Sequence, residues 1–479
     1  MAMGKRKAQR QRERWIAATD VPQGPGHPFY GRLNGLLRER GFDQFAEGLC
    51  SPFYHDSLGR PSIPPGVYFR MLLVGYFEGI DSERGIAWRC ADSLALREFL
   101  GFALTEGTPD HSSLSVIRNR IDVETHREVF TWVLTALADS KLLKGKTIGI
   151  DATTLEANAA MRSIVRNDTG ESYDEFLTKL AKASGIDTPT REDLARTDRK
   201  RKNKGSNDDW HNPHDPDAKI TKMKDGRTHL AHKAEHAVDL QTGAIVSVTL
   251  QGADVGDTTS VQETLAESVE TLLDVREQGG QVQLPREMVA DKGYHSNDVC
   301  SDMESMGMRG YISEPNRGRR VWTDKDTSQV KSTQRDAVYA NRRRVRGKRG
   351  KALMRKRGEL LERPFAHCYE TGGLRRTHLR GHPNILKRLL IHVAGFNLGL
   401  LMRSMFGIGK PRRLQDGLGT AILDVLDAIV RIIGTAWRRL GLRKRPWRHV
   451  SAPMPNAPNS PATGRLMMSV KNRPSSTGC

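Results

Sequence analysis

The sequence predicts an α/β core preceded by a small helical domain, and three observations predict it. Apolar residues recur at helical spacing between residues 61 and 143. Short apolar runs that read as strands appear at 147–151 and 286–291, each ending in an acid. Segments of helical character lie between and after those runs, and such alternation is the mark of an α/β layer architecture.

Residues 1–60 read as a basic arm and a loop-rich lead-in, because Pro22, Gly24, Pro25, Gly26 and Pro28 interrupt any long element. Beyond Pro64-Pro65, Val67, Met71, Leu72 and Val74 fall at helical spacing, and Leu94, Leu96, Phe99 and Leu100 follow. Asp110 or Ser112 is placed to cap a further helix that carries Arg118 and Arg120. The helical domain is therefore expected over 61–143 and the α/β domain over 144–406.

Within the second domain, residues 160–225 hold the basic run RKRKNK at 199–204 and then Asn, Asp, His and Pro, which predicts a solvated insertion. Strand-like runs at 232–239 and 244–250 flank Thr242-Gly243, a hairpin signal. Helices are expected over 260–276, 297–306 and 384–406. The run RRRVRGKRGKALMRKR at 342–357 holds ten basic residues and no acid, ahead of a helix with Glu359 and Glu362. The apolar stretch 389–402 contains His392 and Asn397 and reads as core packing, too short to span a bilayer. A helical extension is expected over 407–452, with an amphipathic stretch at 418–433, and a disordered tail over 453–479.

Lys plus Arg number 76 against 56 for Asp plus Glu, a net charge of +20. Such an excess points to nucleic acid or an anionic membrane. The first residues are polar and basic rather than secretory, and no apolar segment suits a bilayer, so no membrane is expected. Cys50, Cys90, Cys300, Cys368 and Cys479 are scattered without a CxxC pair, which argues against a disulfide framework or a zinc module. The expected compartment is a reducing cytoplasm, with the chain on the nucleoid.

Asp151 in IGIDATTLEANA and Asp291 in VADKGYHS each end an apolar run. A strand end is a rigid mount for a reactive group. Alone, either acid reads as a cap or turn residue. Together with Glu362 and a strongly basic chain they suit phosphoryl transfer on DNA. Two divalent ions about 3.5–4 Å apart activate water and stabilise the leaving oxygen. Mg²⁺ or Mn²⁺ takes carboxylate oxygens, so dispersed acids suit these ions better than zinc.

These two segments, with LLERPFAHCYETGGLRRTHLRG at 360–381, resemble insertion-sequence transposases of the DDE type. Residues 61–143 resemble the InsH-type N-terminal domain of that group, and the Asp215-Pro-Asp-Ala and Gly252-Ala-Asp-Val-Gly-Asp257 segments are similar to it as well. The resemblance implies an RNase H-like mixed sheet flanked by helices. It implies Asp151, Asp291 and Glu362 as catalytic residues and as ligands of two Mg²⁺ or Mn²⁺ ions. It implies double-stranded DNA as partner, both terminal inverted repeats and target, with a homodimer acting on it by cleavage and strand transfer. Lys233 and Lys292 would touch phosphate, as would Arg342, Arg343, Arg344, Arg346, Lys348 and Arg349 of the basic run. Related families carry Tyr-x-x-Arg-x-x-x-Glu-x-x-x-x-x-x-Lys around the Glu, but Gly358 and Tyr369 stand at the Arg and Lys positions here. Arg357 and Arg363 are the neighbouring basic residues that would serve instead. Glu359 is the main rival for the third acid, and Glu370 a lesser one. A nuclease without strand transfer and a transposase-derived DNA-binding protein without catalysis are the alternatives. No GxxxxGK[ST] loop is present, so no nucleotide cofactor is expected.

Several residues carry blander readings. Glu156 and Asn158 read as a solvated turn, and His211 and His214 as loop. Asp254 and Asp257 read as helix caps. His232, Ala234 and His236 share one strand face. Trp322, beside Arg319 and Arg320, is either a stacking platform for an unpaired base or a partly buried ring.

Overall fold

The structure is a computed structural model that describes residues 26–55, 62–201, 205–223, 226–316, 318, 320, 322 and 331–411. Part of the expected lead-in is helical: α1 (Pro28–Glu39) and α2 (Phe42–Cys50). Pro28 does not break the first of these but opens it, because a proline in the first turn withholds an N–H that no helix bond needs. Four further helices follow: α3 (Pro65–Glu78), α4 (Glu83–Asp92), α5 (Leu94–Leu100) and α6 (His111–Arg120). Asp110 rather than Ser112 caps α6, accepting from the Ser113 N–H at 2.9 Å. Every residue of α3 from Gly66 to Phe77 is buried, so this helix is the axis of the helical part. α7 (Val123–Asp139) leads into the sheet.

The sheet begins with β1 (Thr147–Glu156), and after it the chain forms β2 (Val165–Arg166), α8 (Tyr173–Ala183), α9 (Arg191–Lys200) and β3 (Trp210–His211). The expected solvated insertion is thus largely ordered. Ala157, Ile164, Trp210, Ala218 and Leu230 give it a small core of its own. α8 and α9 each start with a capping box, Ser172 with Glu175 and Thr190 with Asp193, a signature the composition of the segment obscured.

The remaining strands are β4 (Lys219–Lys222), β5 (Thr228–Asp239), β6 (Ile245–Gly252), β7 (Glu287–Ala290) and β8 (Arg309–Ile312). Their order is β4-β5-β1-β7-β8, with β6 also beside β5. β1 is antiparallel to β5 and parallel to β7, and β7 is parallel to β8. The β5–β6 hairpin closes at Gly243, whose φ of 82° suits glycine. β1 and β7 pair only from Thr147 to Gly149, whereas β1 stays paired with β5 as far as Glu156. A gap therefore opens between β1 and β7 beyond these residues.

α10 (Asp257–Glu277) packs on one face of the sheet. α11 (Asn297–Ser305) and α12 (Ser332–Arg346) lie by β8, and α13 (Lys348–Phe365) crosses β7 and β1. α14 (His382–Phe406) has the length and hydropathy of a membrane span and exceeds the expected apolar stripe. It is nevertheless mostly buried, against α7, α3 and β6, as a core helix. One continuous apolar core runs from Phe29 in α1 through the sheet to Met402 in α14. The arm before residue 26, the extension and amphipathic stretch from 412, and the tail at 453–479 lie outside the described residues.

Buried asparagines occupy main-chain polar groups on β8 and on β6. On β8, Asn341 donates to the Ile312 carbonyl at 2.8 Å and accepts from its N–H at 2.9 Å. On β6, Asn397 does the same for Ile245, at 2.8 and 3.0 Å. Replacing either with leucine keeps the volume but orphans one buried donor and one buried acceptor. Asn341→Leu and Asn397→Leu should each lower the unfolding free energy by about 1–3 kcal/mol. Urea titration followed by circular dichroism measures this, and unchanged midpoints would contradict it.

Candidate active site

Alternation along β1 places Gly149, Asp151 and Thr153 on the face beneath α13. Gly149 lets α13 approach: an added Cβ would lie 2.8 Å from Leu361. Asp151 is half-buried and accepts from the Ala152 N–H at 2.9 Å. Asp291 follows β7 and caps a short 3₁₀ turn, Lys292–Tyr294, accepting from the Gly293 N–H at 2.8 Å. The two acids meet at Arg357 of α13, whose Nη2 lies 3.2 Å from Asp151 Oδ2 and 3.7 Å from Asp291 Oδ2. Those two contacts hold the carboxylate oxygens within about 7 Å of each other, on the scale of a two-ion site. Burial pushes the Asp151 carboxyl up to about 6. Arg357 opposes the rise, and Asp291 and Asp257 add to it.

On the opposite face, β5 turns Lys233 and Glu235 toward α10. Glu235 accepts from Ser260 and Tyr294, each at 2.8 Å, and from Thr264. Burial, with Glu235 beside it, pushes the Tyr294 phenol far up, so it stays a donor. Lys233 is buried; it donates to Ser260 at 2.8 Å and pairs with Asp257 at 2.6 Å. Asp257 therefore faces Lys233 rather than capping α10, where Gly256 stands at the N-cap without a side-chain bond. Gly293 separates Asp257 from Asp291: a Cβ there would lie 2.5 Å from Asp257 Oδ2 and 3.1 Å from Asp291 Oδ1.

Arg357 shares the inward stripe of α13 with Leu353, Leu361 and Pro364. Glu362 belongs to the outward stripe with Lys351, Arg355 and Glu359 and is exposed. It makes no hydrogen bond or ion pair with the described residues, so the structure brings Asp151 and Asp291 together without Glu362. Glu359 is also exposed and pairs with Arg363 at 2.6 Å. Glu370 pairs with Arg375. The departure at Tyr369 has a physical reason. Its side chain is fully buried against Phe365 and His236, where a lysine would bury an ammonium group.

The predicted phosphate-contact residues divide by environment. Lys233 is buried, and Lys292 is exposed beside Asp291. Arg342 pairs with Glu314 at 2.7 Å, Arg344 with Glu304, and Arg349 with Glu287. Arg343, Arg346 and Lys348 are exposed and make no ion pair among the described residues, and Lys351, Arg355 and Lys356 continue that surface.

Elsewhere, His232 lies 3.3 Å from Asp215, and Asp215 and Asp217 accept from the Gly381 and His382 N–H groups at the start of α14. Glu156 is 3.9 Å from Arg376, and Asn158 donates to the His378 carbonyl at 3.2 Å. His211 meets Asn167, and the His214 N–H is bound by Asn212 at 3.0 Å. Trp322 is the partly buried ring, against Tyr339 and Arg320. Arg319 lies outside the described residues. Arg357 and Asp257 are the residues whose place at the acids the sequence reading missed; the inward spacing of Arg357 with Leu353 and Leu361 was the available signal.

Hard divalent cations fit this donor set. Carboxylate oxygens from separate elements converge, Gly293 leaves a cradle that a Cβ would fill, and Arg357 already supplies positive charge between Asp151 and Asp291. Among the described residues, no three His, Cys, Asp or Glu side chains are yet gathered as a finished cage. The raised Asp151 carboxyl makes the acid a liability in metal-free protein: its contribution to stability is full below the unfolded value near 3.8 and is lost as pH rises through about 6. Asp151→Asn should thus stabilise metal-free protein at pH 8 by about 1–3 kcal/mol and leave it unchanged at pH 4. Denaturant titrations at both pH values in chelator decide this; a gain at pH 4 only, or none at pH 8, would refute it.

Two family models match the chain. One, described as a transposase domain (DUF772), covers residues 22–120, the helical part through α6. The other, described as a transposase DDE domain, covers residues 196–398, which contain Lys233, Asp257, Asp291, Arg357 and Glu362. No curated protein matches. The strand order, with an antiparallel trio leading into two parallel strands, is the RNase H-like sheet that the DDE domain implies. Two transposase regions in sequence, a helical part followed by an RNase H-like sheet with acids at its diverging strands, make this chain a member of the insertion-sequence DDE transposases.

Proposed function

We propose that the chain binds the terminal inverted repeats of its own element as a dimer, cleaves DNA there and joins the freed ends to target DNA on the nucleoid. The convergence of Asp151 and Asp291 on one guanidinium, in the gap between β1 and β7, carries this reading. Residues 61–143 are assigned end recognition and residues 144–406 the chemistry. Two Mg²⁺ or Mn²⁺ ions would supply an activated water or 3′-hydroxyl and charge stabilisation at the leaving oxygen. The chain's own part is to hold and orient. Asp151 and Asp291 present oxygens from rigid strands, Arg357 balances their charge, and Lys292 meets the phosphate beside Asp291. The exposed cations from Arg343 to Lys356 bind the DNA backbone. Glu362 is retained as the third acid on the resemblance of its segment, and reaching the pair requires α13 to turn.

Asp151→Asn and Asp291→Asn should abolish nicking of a labelled element end while leaving end binding largely intact; loss of binding in both folded variants would contradict the assignment. Glu362→Gln should cost about 10³-fold or more and Glu359→Gln less than about tenfold. An active Glu362→Gln beside a dead Glu359→Gln would move the third acid by one helical turn. Joined products on a gel separate transposition from cutting alone.

If the surface from Arg343 to Lys356 makes about five phosphate contacts, it contributes a slope of about −4 to −5 to log affinity against log salt. Neutralising Arg343, Arg346, Lys348, Lys351 and Arg355 should flatten the slope by that amount. An unchanged slope would make the surface a bystander.

A further inference from the structure

We infer that Asp257 is a further ligand of the divalent cation, working with Asp151 and Asp291 from the α10 side of the gap. The inference rests on the function proposed above and adds a residue to it. Its two oxygens have separate surroundings. Oδ1 is held at 2.6 Å by the buried Lys233 ammonium. Oδ2 points across Gly293, where a Cβ would lie 2.5 Å from it and 3.1 Å from Asp291 Oδ1. One oxygen is thus anchored while the other shares a cradle with an acid of the site.

The anchor is rigid. Lys233 also donates to Ser260 at 2.8 Å and to the Val255 carbonyl at 3.2 Å, so its ammonium is committed on several sides. A lysine so enclosed fixes one carboxylate rotamer and leaves the second oxygen free for a cation. The formal charges agree. Asp151, Asp257, Asp291 and Glu235 outnumber the cations paired with them, Lys233 and Arg357, which leaves net negative charge at the gap. Oxygen donors from β1, the β7 turn and α10 would approach a cation in the gap from different directions, as hard-cation coordination needs, and binding would draw together acids that stand apart here. Gly293 is required because any side chain would fill the space between two of them.

Mn²⁺ alone is titrated calorimetrically into the full chain and four variants: Asp151→Asn, Asp257→Asn, Lys233→Met and the Lys233→Met/Asp257→Asn double. Circular dichroism controls for folding. The double removes both charges of the Lys233–Asp257 pair; Glu235, 3.6 Å from Lys233, keeps its three hydroxyl donors, so the double keeps the test open if Asp257→Asn unfolds. Asp257→Asn and the double should each bind Mn²⁺ at least about tenfold more weakly than wild type, a loss of about 1.4 kcal/mol. Asp151→Asn should be weakened at least as much. Wild-type affinity in the double would show that Asp257 serves only to neutralise Lys233, and would overturn the inference while leaving the proposed site intact. Wild-type affinity in Asp151→Asn would sink the site itself.

Discussion

Glu235 is the constraint on which the placement of α10 and of the turn after β7 depends. Its carboxylate is fully buried, and such a group is tolerable only when its oxygens are satisfied. The hydroxyls that satisfy it come from α10, through Ser260 and Thr264, and from the turn after β7, through Tyr294. The strand β5, the helix α10 and the turn that carries Asp291 are thereby fixed to one point. Removing any donor leaves a buried charge short of a partner, so the network holds as a unit rather than loosening by degrees. The position of Asp291, three residues before Tyr294, follows from it.

α13 supplies the second half of the geometry. Its start is tied to the sheet by Arg349 on Glu287, and its middle by Leu361 over Gly149. Between them, Arg357 is delivered to Asp151 and Asp291. Phe365 continues the contact onto His236, and a short π-helical turn over Ala366–Glu370 follows. Burial pushes His236 down to about 3, so it is neutral and can accept from the Tyr369 hydroxyl. The helix therefore separates its charges by face: Arg357 serves the acids, Arg349 and Arg363 are paired with Glu287 and Glu359, and Lys348, Lys351, Arg355 and Lys356 remain exposed.

Much of this was legible in the sequence. Ile148 and Ile150 with Asp151, and Met288, Val289 and Ala290 with Asp291, announced two strands and their acids, because alternation and apolar runs are local signals. Thr242-Gly243 announced the hairpin for the same reason. The inward turn of Arg357 was hidden by its basic neighbours, which made the whole run look like one solvated face. Lys233 looked like a surface cation because nothing local reveals that Asp257, on another element, neutralises it. Ser172 with Glu175 and Thr190 with Asp193 were readable capping boxes overlooked in a polar stretch. Glu362 shows the limit of resemblance: its segment fixes a position in a motif, while the direction of its side chain depends on how the helix is rolled.

The two buried asparagines also bear on how copies of this protein can assemble. A β-sheet with free sides invites strand addition from a neighbour. Here Asn341 occupies both polar groups of Ile312, Arg344 takes the Gly310 carbonyl, and Asn397 occupies both groups of Ile245. At those positions no ladder remains for a second chain to continue. A second copy of this chain could therefore not extend the sheet through Ile312 or Ile245, and contacts there would fall to helices and loops. Contacts of that kind form and come apart without tearing a shared sheet.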